Sequence, residues 1–523
     1  MDRLRCVLML STLLVAACGG GGSGGGNGGG NQPAGWQSGV FSPAANYEAL
    51  CANPRAGIDP LTNQPYPDRQ GTRTDENNWL RSWSHDLYLW YREIVDRDPS
   101  LYSTPNYFDL LKTSAITASG KSKDRFHFTY DTAEWERLSQ SGVDVGYGVT
   151  WAILASTPPR DVRVAYTEPG SPAVTVGGLA RGATVLQIDG VDLVNDNTQA
   201  GVDVLNNGLH PPQTNESHDF TIQDPDGTIR MVTMTSVDVT ITPVQHVPLI
   251  ATANGNVGYL LFNDHVATAE SELINAVQDL QSQGTVADLV VDIRYNGGGY
   301  LAIASELAYM IAGSTPTNGR VFERSQFNDQ YPPDKDPVSG GSSVMPFFST
   351  AVGFSAPQGM VLPTLNLSRV FVLTGANTCS ASESIINSLQ GINVEVIQIG
   401  STTCGKPYGF YPQDNCGTTY FSVQFQGVND QGFGDYADGF SPANTQANAG
   451  VPVTGCSVRD DFGHQLGDVQ EERLAAALAY RTNGGMCPAA TGVAQPGVAA
   501  ATLAAPEPVV PKPAWLENRI MRR

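Results

Sequence analysis

Three patterns of hydrophobic and polar positions follow one another along the chain. Residues 47–140 carry apolar side chains at spacings of three and four, which is the pattern of one face of a helix. The clearest stripe of this kind consists of Trp79, Leu80, Trp83, Leu87 and Trp90. Residues 141–245 change to short β-type runs separated by Gly and Pro turns. Residues 246–487 alternate strand-like and helix-like runs, which predicts an α/β core.

The predicted core contains distinct elements. The runs NVGYLLFN, RVFVLTGAN and VEVIQIG predict strands, and ADLVVDIRYNGGG predicts a buried strand that leads into a glycine turn. The run AESELINAVQDLQSQG predicts an amphipathic helix that ends at Gly284. A terminal helix is predicted in LGDVQEERLAAALAYRTNGG.

The two ends of the chain differ from this pattern. Residues 1–18 combine two arginines, an apolar run and small residues before Cys18, which predicts a secretory signal peptide. Cys18 in this position resembles a bacterial lipobox, which implies cleavage before Cys18 and acylation of its thiol; an ordinary signal with an incidental cysteine is the alternative. Residues 19–46 form a Gly-rich tether, as an anchored domain needs. Residues 488–523 are rich in Ala and Pro and are predicted to be a disordered tail.

The net charge and the cysteine content exclude some classes of partner and of site. The net charge of −21 excludes nucleic acid and direct adhesion to anionic lipid, so membrane contact is expected through the lipid at Cys18 only. Six cysteines remain after the signal peptide and Cys18 are set aside, an even number that predicts disulfides in an exported chain. Neither a zinc-type cysteine spacing nor an HExxH motif occurs, so we expect no metal and no cofactor. The expected location is a bacterial cell envelope, at the outer membrane.

The β-rich segment resembles a PDZ domain. The resemblance rests on the strings GSPA, GL and VLQIDG between residues 170 and 190. It places Gly146, Tyr147, Gly148 and Val149 at the carboxylate-binding loop of that family. Glycines there let backbone N–H groups converge on an anion, and the next strand edge can pair with an extended peptide. A spacer domain without a ligand is the alternative.

The stretch NTCSASESIINSLQ raises a question about Ser380. Ser380-Ala-Ser-Glu383 is a capping box, in which the serine oxygen accepts a backbone N–H and the glutamate reaches back. Such boxes are common signals of a helix start. Taken alone, this stretch therefore favours a helix cap over a nucleophile.

Three motifs in fixed order change that interpretation. They are LVVDIRYNGGG (289–299), TCSASES (378–384) and GSTTCGK (400–406), and the PDZ-like segment precedes them. Together they resemble the C-terminal processing, or tail-specific, serine peptidases. LYLWYREI and KDRFHF are similar to the N-terminal region of one branch, and the lipobox suggests a lipoprotein member. The resemblance covers about residues 50–487.

The resemblance implies a role for individual residues. Ser380 matches the nucleophile and Lys406 the general base, with Ser382 and Ser384 as the alternative nucleophiles. The N–H groups of Ala381 and of Gly299, with Gly298 as second choice, would form the oxyanion hole. Phe410 stands where related proteins often carry the Gln that orients the lysine. Either another polar group orients Lys406 or packing holds it.

Two disulfides are expected from the loop pattern. Cys404 and Cys416 bracket a predicted turn after the lysine, so we expect them to bond. Cys456 with Cys487 is the second expectation, which leaves Cys51 with Cys379.

The sequence therefore predicts an α/β (α+β multidomain) protein. It would contain an N-terminal helical region, a PDZ-like β domain and an α/β serine-peptidase core of the tail-specific type. The predicted function is that of an exported, lipid-anchored serine endopeptidase with protein or peptide substrates. An inactive peptide-binding protein on the same fold is the alternative.

Overall fold

A computed structural model describes residues 36–59, 62–445, 450–488, 509–510 and 519–520. The predicted signal peptide, Cys18 and most of the predicted tether lie outside the described residues. Among the helices of the described part, none has the length and apolar character needed to cross a membrane.

The N-terminal region combines helices with short strands. Its elements are β1 (Leu50–Cys51), β2 (Arg69–Gln70), α1 (Arg73–Leu87), α2 (Thr104–Asp109), β3 (Phe128–Asp131) and α3 (Thr132–Ser141). Thr72 caps α1, since its hydroxyl accepts the Asp75 N–H and the Asp75 carboxylate accepts the Thr72 N–H at 2.9 Å. The helix ends at Leu87, so Trp90 of the predicted stripe lies beyond it and packs on Tyr408 with ring centroids 4.7 Å apart.

The PDZ-like region is built on a twisted antiparallel sheet. Its elements are β4 (Val143–Gly146), β5 (Val149–Ala155), β6 (Asp161–Thr167), α4 (Pro172–Thr175), β7 (Thr184–Ile188), β8 (Val191–Asp192), α5 (Gln199–Leu209), β9 (Ser217–Gln223), β10 (Ile229–Thr235) and β11 (Val237–Thr240). The strand order is β10-β9-β7-β6-β5, with β8 paired to β7, so β5 lies at one edge. β4 and β11 form a separate antiparallel pair.

The core region begins with the strands and helices that carry the glycine turn. They are β12 (Val244–Gln245), β13 (Leu249–Ile250), β14 (Asn256–Phe262), α6 (Ala269–Gln283), β15 (Val286–Asp292), β16 (Gly299–Tyr300), α7 (Leu301–Ala312), α8 (Ser314–Thr317), β17 (Val321–Gln326) and β18 (Val344–Pro346). The rest of the chain supplies β19 (Arg369–Thr374), α9 (Ala381–Gly391), β20 (Glu395–Gly400), β21 (Tyr408–Gly409), β22 (Gln413–Asn415), β23 (Thr418–Phe421), β24 (Phe425–Val428), β25 (Phe440–Pro442), β26 (Val451–Val453), β27 (Gly455–Ser457), α10 (Glu472–Thr482) and β28 (Arg519–Ile520).

A seven-stranded sheet forms the centre of the core. Its order is β12-β14-β15-β19-β20-β27, with β13 paired to β14, and the strands from β14 to β27 are parallel. Alternate side chains of β14 pack on opposite faces, Leu260 against α6, α7 and α9, and Tyr259 against α10. This two-residue alternation is the reason why apolar runs in the sequence become strands buried on both faces. Because the strands are parallel, their carboxyl ends meet at one edge, where β15 and β19 lead into the motifs around residues 296 and 380.

The structure corrects two predicted disulfides. It pairs Cys51 with Cys416, Cys379 with Cys404, and Cys456 with Cys487. The expected Cys404–Cys416 bond and its remainder, Cys51–Cys379, are wrong, whereas Cys456–Cys487 is confirmed.

The reason lies in backbone contacts between distant parts of the chain. The Cys404 N–H donates to the Thr378 carbonyl at 3.0 Å, which brings residue 404 beside the start of α9. Cys416 lies in the turn between β22 and β23, where Asn415 Oδ1 accepts the Ala49 N–H at 2.9 Å. That contact holds Cys416 against β1, which contains Cys51.

The carboxyl-terminal tail departs from its prediction at four described positions. Val509 pairs with Ile153 of β5, Val510 is buried, and β28 (Arg519–Ile520) pairs with β16. The Ala/Pro-rich composition gave no signal for these contacts, because each depends on an edge supplied by another part of the chain.

Candidate active site

Ser380 lies directly before α9 in a backbone conformation that is rare for a residue with a side chain. Its φ is 62° and its ψ is −115°, and the residue is fully buried. An ordinary helix cap has β-region dihedrals, so capping alone does not require this conformation. Strained residues of this kind persist only where the surrounding structure imposes them, and they cluster at functional sites.

The carboxylate of Glu383 connects Ser380 to Lys406. Glu383 Oε2 accepts the backbone N–H of Ser380 at 2.9 Å and that of Lys406 at 2.8 Å. Its Oε1 accepts the Gly405 N–H at 2.9 Å and the Thr403 hydroxyl at 2.5 Å. Complete burial raises the pKa of Glu383, although these four hydrogen bonds act in the opposite direction. One side chain therefore holds the start of α9 and the lysine loop together.

The disulfide Cys379–Cys404 joins the same two segments covalently. Its cysteines lie one residue before Ser380 and two residues before Lys406. Together with Glu383 they form a cluster whose sulfur and oxygen atoms approach as closely as metal ligands do. Because both sulfurs take part in the disulfide, the donor set as found does not fit a metal ion.

Lys406 is fully buried among aromatic side chains. Its Nζ lies 4.4 Å from the centroid of the Phe126 ring and 4.9 Å from that of Phe410. Phe410, where an orienting amide was expected, is itself fully buried and packs on Phe128 and Phe421. The residue that departs from the expected pattern therefore contacts the lysine directly.

Asn296 organises the glycine turn. Its side-chain oxygen accepts the Gly298 N–H at 3.0 Å and lies 2.9 Å from His265 Nδ1. Its carbonyl accepts the Cys379 N–H at 3.0 Å, which connects the turn to the start of α9.

Gly299 must be a glycine. Its φ is 134°, and a Cβ there would lie 2.5 Å from the His265 carbonyl oxygen. The close approach is real, since the Tyr300 N–H donates to that same oxygen at 2.9 Å. The turn is thus fixed on the β14 side by His265 and on the α9 side by Asn296.

The two alternative serines have other partners. The Ser382 hydroxyl donates to the Asn296 carbonyl at 3.0 Å. The Ser384 hydroxyl donates to Glu323 Oε2 at 3.1 Å. Both hydroxyls hold structural contacts, which favours Ser380 over either of them.

The predicted peptide-binding loop lines a cavity of about 310 Å3. Gly148 has a φ of 73°, and a Cβ there would lie 2.3 Å from Ser171 Cβ, so the loop depends on this glycine. Four acidic residues also line the cavity: Glu134, Asp144, Glu168 and Asp264. Negative lining of this kind opposes a free carboxylate and suits a neutral or basic segment. Asp264 precedes His265, whose carbonyl accepts the Tyr300 N–H, so this wall of the cavity lies next to the glycine turn.

The structure thus brings Ser380, Lys406, Ala381 and the glycine turn to one edge of the central sheet. Gly146–Val149 lies in the neighbouring PDZ-like region, and Cys18 lies outside the described residues. Sequence reasoning missed Asn296, and it assigned Glu383 only to the cap. Two features of the sequence could have indicated these residues. Asn296 directly precedes the glycine run, and only one predicted strand separates the helix of Glu383 from Cys404-Gly405-Lys406.

Comparisons with known proteins show which proteins this chain is similar to. Residues 256–412 match the model of Peptidase family S41. A carboxyl-terminal-processing protease from Picosynechococcus sp. is 31% identical over 176 residues, which cover 33% of this chain and 39% of the relative. The aligned part therefore spans well under half of that relative.

A solved structure assigned to the S41 proteases, from Bacteroides fragilis, shows the same fold. It aligns with a TM-score of 0.57 and 23% identity over 80% of this chain and 98% of its own chain. The fold class predicted from the sequence is therefore confirmed, as a multidomain mixed α/β fold of the S41 type. The resemblance to the C-terminal processing serine peptidases is confirmed as well.

Proposed function

We propose that the protein is an exported, lipid-anchored serine endopeptidase that cleaves proteins or peptides by a Ser–Lys mechanism. The observation that carries the proposal is that one buried carboxylate, Glu383, accepts backbone N–H groups from both Ser380 and Lys406. The match to Peptidase family S41 over residues 256–412 supports the reaction class.

The chemical steps follow from the residue types. Ser380 Oγ attacks the substrate carbonyl carbon while the neutral Lys406 amine takes the hydroxyl proton. Burial of Lys406 disfavours its charged form and so favours a base. The proton then passes to the leaving amine, and water hydrolyses the acyl-enzyme.

The oxyanion of the tetrahedral intermediate needs N–H donors at fixed positions. The Ala381 N–H lies in the first turn of α9, where main-chain donors point out of the helix. The Gly298 N–H already donates to Asn296, which favours Gly299 as the second donor.

The PDZ-like region would deliver the substrate. We propose that Gly146–Val149 and the edge of β5 hold an extended segment beside the glycine turn. The acidic lining of the cavity favours an internal or basic segment over a free carboxylate. The lipid at Cys18 would keep the enzyme at the outer membrane of a bacterial envelope.

The test compares four variants in hydrolysis of an unstructured protein such as casein, with thermal unfolding measured alongside. Ser380→Ala should lose several orders of magnitude in rate. Its loss of stability should stay within the range of a lost cap, about 0.5–2 kcal/mol. Lys406→Met should be equally inactive, because the two residues act as one unit, and Lys406→Arg should not restore activity, because a guanidinium stays protonated.

Ser382→Ala is the matched control and should keep substantial activity. An active Ser380→Ala variant would exclude Ser380 as the nucleophile. A folded wild type that hydrolyses nothing would favour the alternative of a peptide-binding protein without catalysis.

A further inference from the structure

The carboxyl-terminal tail makes its first described contact at the edge of the PDZ-like sheet. The Ile153 N–H donates to the Val509 carbonyl at 2.8 Å, and the Val509 N–H donates to the Ile153 carbonyl at 3.0 Å. These reciprocal bonds define an antiparallel pair. β5 is the edge strand that directly follows the Gly146–Val149 loop. The tail thus occupies the position at which an added peptide strand binds such a sheet.

The next residue anchors the tail close to the nucleophile. Val510 is 1% exposed and belongs to the apolar cluster that contains Ala152, Tyr166 and Tyr295. Its N–H donates to Asn377 Oδ1 at 3.2 Å, three residues before Ser380. Val509 by contrast is 59% exposed. At this contact, Val510 therefore faces the apolar core and Val509 faces solvent, as neighbouring residues of a bound strand do.

The last described contact lies on the glycine turn itself. β28 pairs in parallel with β16, Arg519 opposite Gly299 and Ile520 opposite Tyr300. β28 also lies beside Tyr408–Gly409, the strand that begins two residues after Lys406. The tail backbone therefore lies between the proposed oxyanion donor and the loop of the proposed base.

Charge supports the same arrangement. Residues 509–523 carry four basic side chains, Lys512, Arg519, Arg522 and Arg523, against one acidic side chain, Glu517. The whole chain has a net charge of −21, and the cavity beside the glycine turn is lined by four carboxylic residues. A basic segment is therefore attracted to this part of an acidic molecule.

We propose that the carboxyl-terminal tail, through its described parts Val509–Val510 and Arg519–Ile520, is a tethered ligand of the chain's own catalytic groove and competes there with substrate. The proposal deepens the proposed function, because it names what occupies the groove when no substrate is bound. A tethered ligand meets its site at an effective concentration in the millimolar range, roughly, so that weak contacts suffice. Substrates that displace the tail would need to pair with the same two edges, β5 and β16.

The binding test uses the Ser380→Ala background, so that no turnover is required. A chain that ends at Pro508 is compared with the full chain in binding a fluorescent peptide of residues 509–523, measured by anisotropy. The shortened chain should bind the peptide saturably and at least tenfold more tightly than the full chain. A scrambled peptide of the same composition is the control for charge alone. Equal binding by both chains, or by both peptides, overturns the proposal.

An activity test with the native Ser380 separates the two proposals. Removal of residues 509–523 should lower KM for an unstructured substrate, and the added peptide should inhibit competitively. If no variant hydrolyses the substrate, the proposed function fails while the binding test still decides the ligand.

A second variant covers the case in which the shortened chain does not fold. Ile153→Pro in the full chain removes the N–H that binds Val509. It does not change the side of β5 that pairs with β6. It should speed trypsin cleavage after Arg519, whereas an unchanged cleavage rate contradicts the proposal.

Discussion

The amine of Lys406 is positioned at the residue scale by two aromatic rings, those of Phe126 and Phe410. Packing of these rings restricts the side chain of Lys406. In the arrangement expected from related proteins, the side-chain amide of a Gln has this role. A ring face also attracts an ammonium by about 0.5–2 kcal/mol, depending on its exposure. Burial acts in the opposite direction, because it penalises the charge. The two rings and the burial of Lys406 therefore act in opposite directions on its charged form.

Phe126→Leu tests this role. Phe126 is only partly buried, so the change removes a wall of the lysine site with a small loss of core packing. We expect kcat to fall by about tenfold to a hundredfold, the cost of a misplaced catalytic group, with KM little changed. Steady-state kinetics checks this split.

Phe41→Leu is the matched control, because Phe41 stacks on His85 away from Lys406. A Phe126→Leu variant with unchanged kcat would show that packing against this ring does not position the base.

The sequence selects Ser380, Lys406 and the glycine turn as candidates because three short motifs occur together in a fixed order, and their catalytic roles stay predictions. It was insufficient for Asn296, whose partners lie on β14 and at the start of α9. Contacts of this kind depend on the order of strands in the sheet, which no local pattern encodes.

At the scale of elements, α6 and α7 hold the segment that packs on the glycine turn. Glu270 of α6 accepts the N–H groups of Gly353, Ser355 and Ala356, each at 2.7 Å. Glu306 of α7 accepts the Val352 N–H at 2.7 Å. The segment between them carries Phe354, whose ring lies 4.6 Å from that of Tyr300 in β16.

The carboxyl groups of Glu270 and Glu306 are hydrogen-bonded to each other, and their pKa values are shifted in opposite directions. Burial, reinforced by the charge of Glu270 and a hydrogen bond to it, raises the pKa of Glu306 to about 8 from an ordinary value of 4.5. For Glu270, burial is opposed by its three backbone hydrogen bonds and by Glu306, and the result is a lowered pKa. At neutral pH, Glu306 is therefore protonated and donates to the Glu270 carboxylate.

A pH dependence follows from this pair. The pKa of Glu306 is raised in the folded state. The stabilising contribution of the Glu270–Glu306 pair is therefore complete below about pH 4.5 and is lost as the pH rises through about 8. We expect the Tm of the wild type to fall by several degrees between pH 6 and 9. Glu306→Gln mimics the protonated form and should flatten this part of the curve.

Calorimetry at several pH values checks the expectation. Glu395→Gln, at an exposed glutamate of β20, is the control and should keep the wild-type slope. An equal slope in Glu306→Gln and the wild type would rule out this pair as the source.

Elements of the central sheet could be predicted because their side chains alternate between two buried faces. The helix α6 ends as expected, with Gly284 as its cap residue. Two of the three disulfides could not be predicted, because they depend on contacts between distant parts of the chain; Cys51 and Cys416, for example, lie 365 positions apart. β28 could not be predicted either, because a strand of two residues carries no periodic pattern and its partner β16 lies in a distant part of the sequence.

At the scale of the whole molecule, a buried charge network joins the PDZ-like region to the core. Arg181 binds Asp460 at 2.6 Å, and Arg294 binds both Asp460 at 2.8 Å and Glu471 at 2.7 Å. The three contacts are almost completely buried, so each charge depends on its partners. Arg294 lies two residues before Asn296, which places the glycine turn at the end of this network.

The predicted lipid anchor at Cys18 concerns the location of the whole molecule. Cys18→Ser removes the proposed acylation site and should move the protein from the membrane fraction to the soluble fraction, or block its maturation. Cell fractionation with immunoblotting measures this distribution. The Cys6→Ser change, within the predicted signal peptide, is the control and should not alter it. Normal processing with full membrane retention of Cys18→Ser would exclude the lipid anchor.

The central claim, that Ser380 is a nucleophile, is tested most directly by the site of covalent labelling. The purified protein is incubated with a fluorophosphonate probe, and the adduct is located by mass spectrometry of its peptides. We predict one adduct per chain, on the Ser380 hydroxyl, absent in Ser380→Ala and retained in Ser382→Ala. A folded wild type that forms no adduct, or an adduct on another residue that persists in Ser380→Ala, would contradict the account.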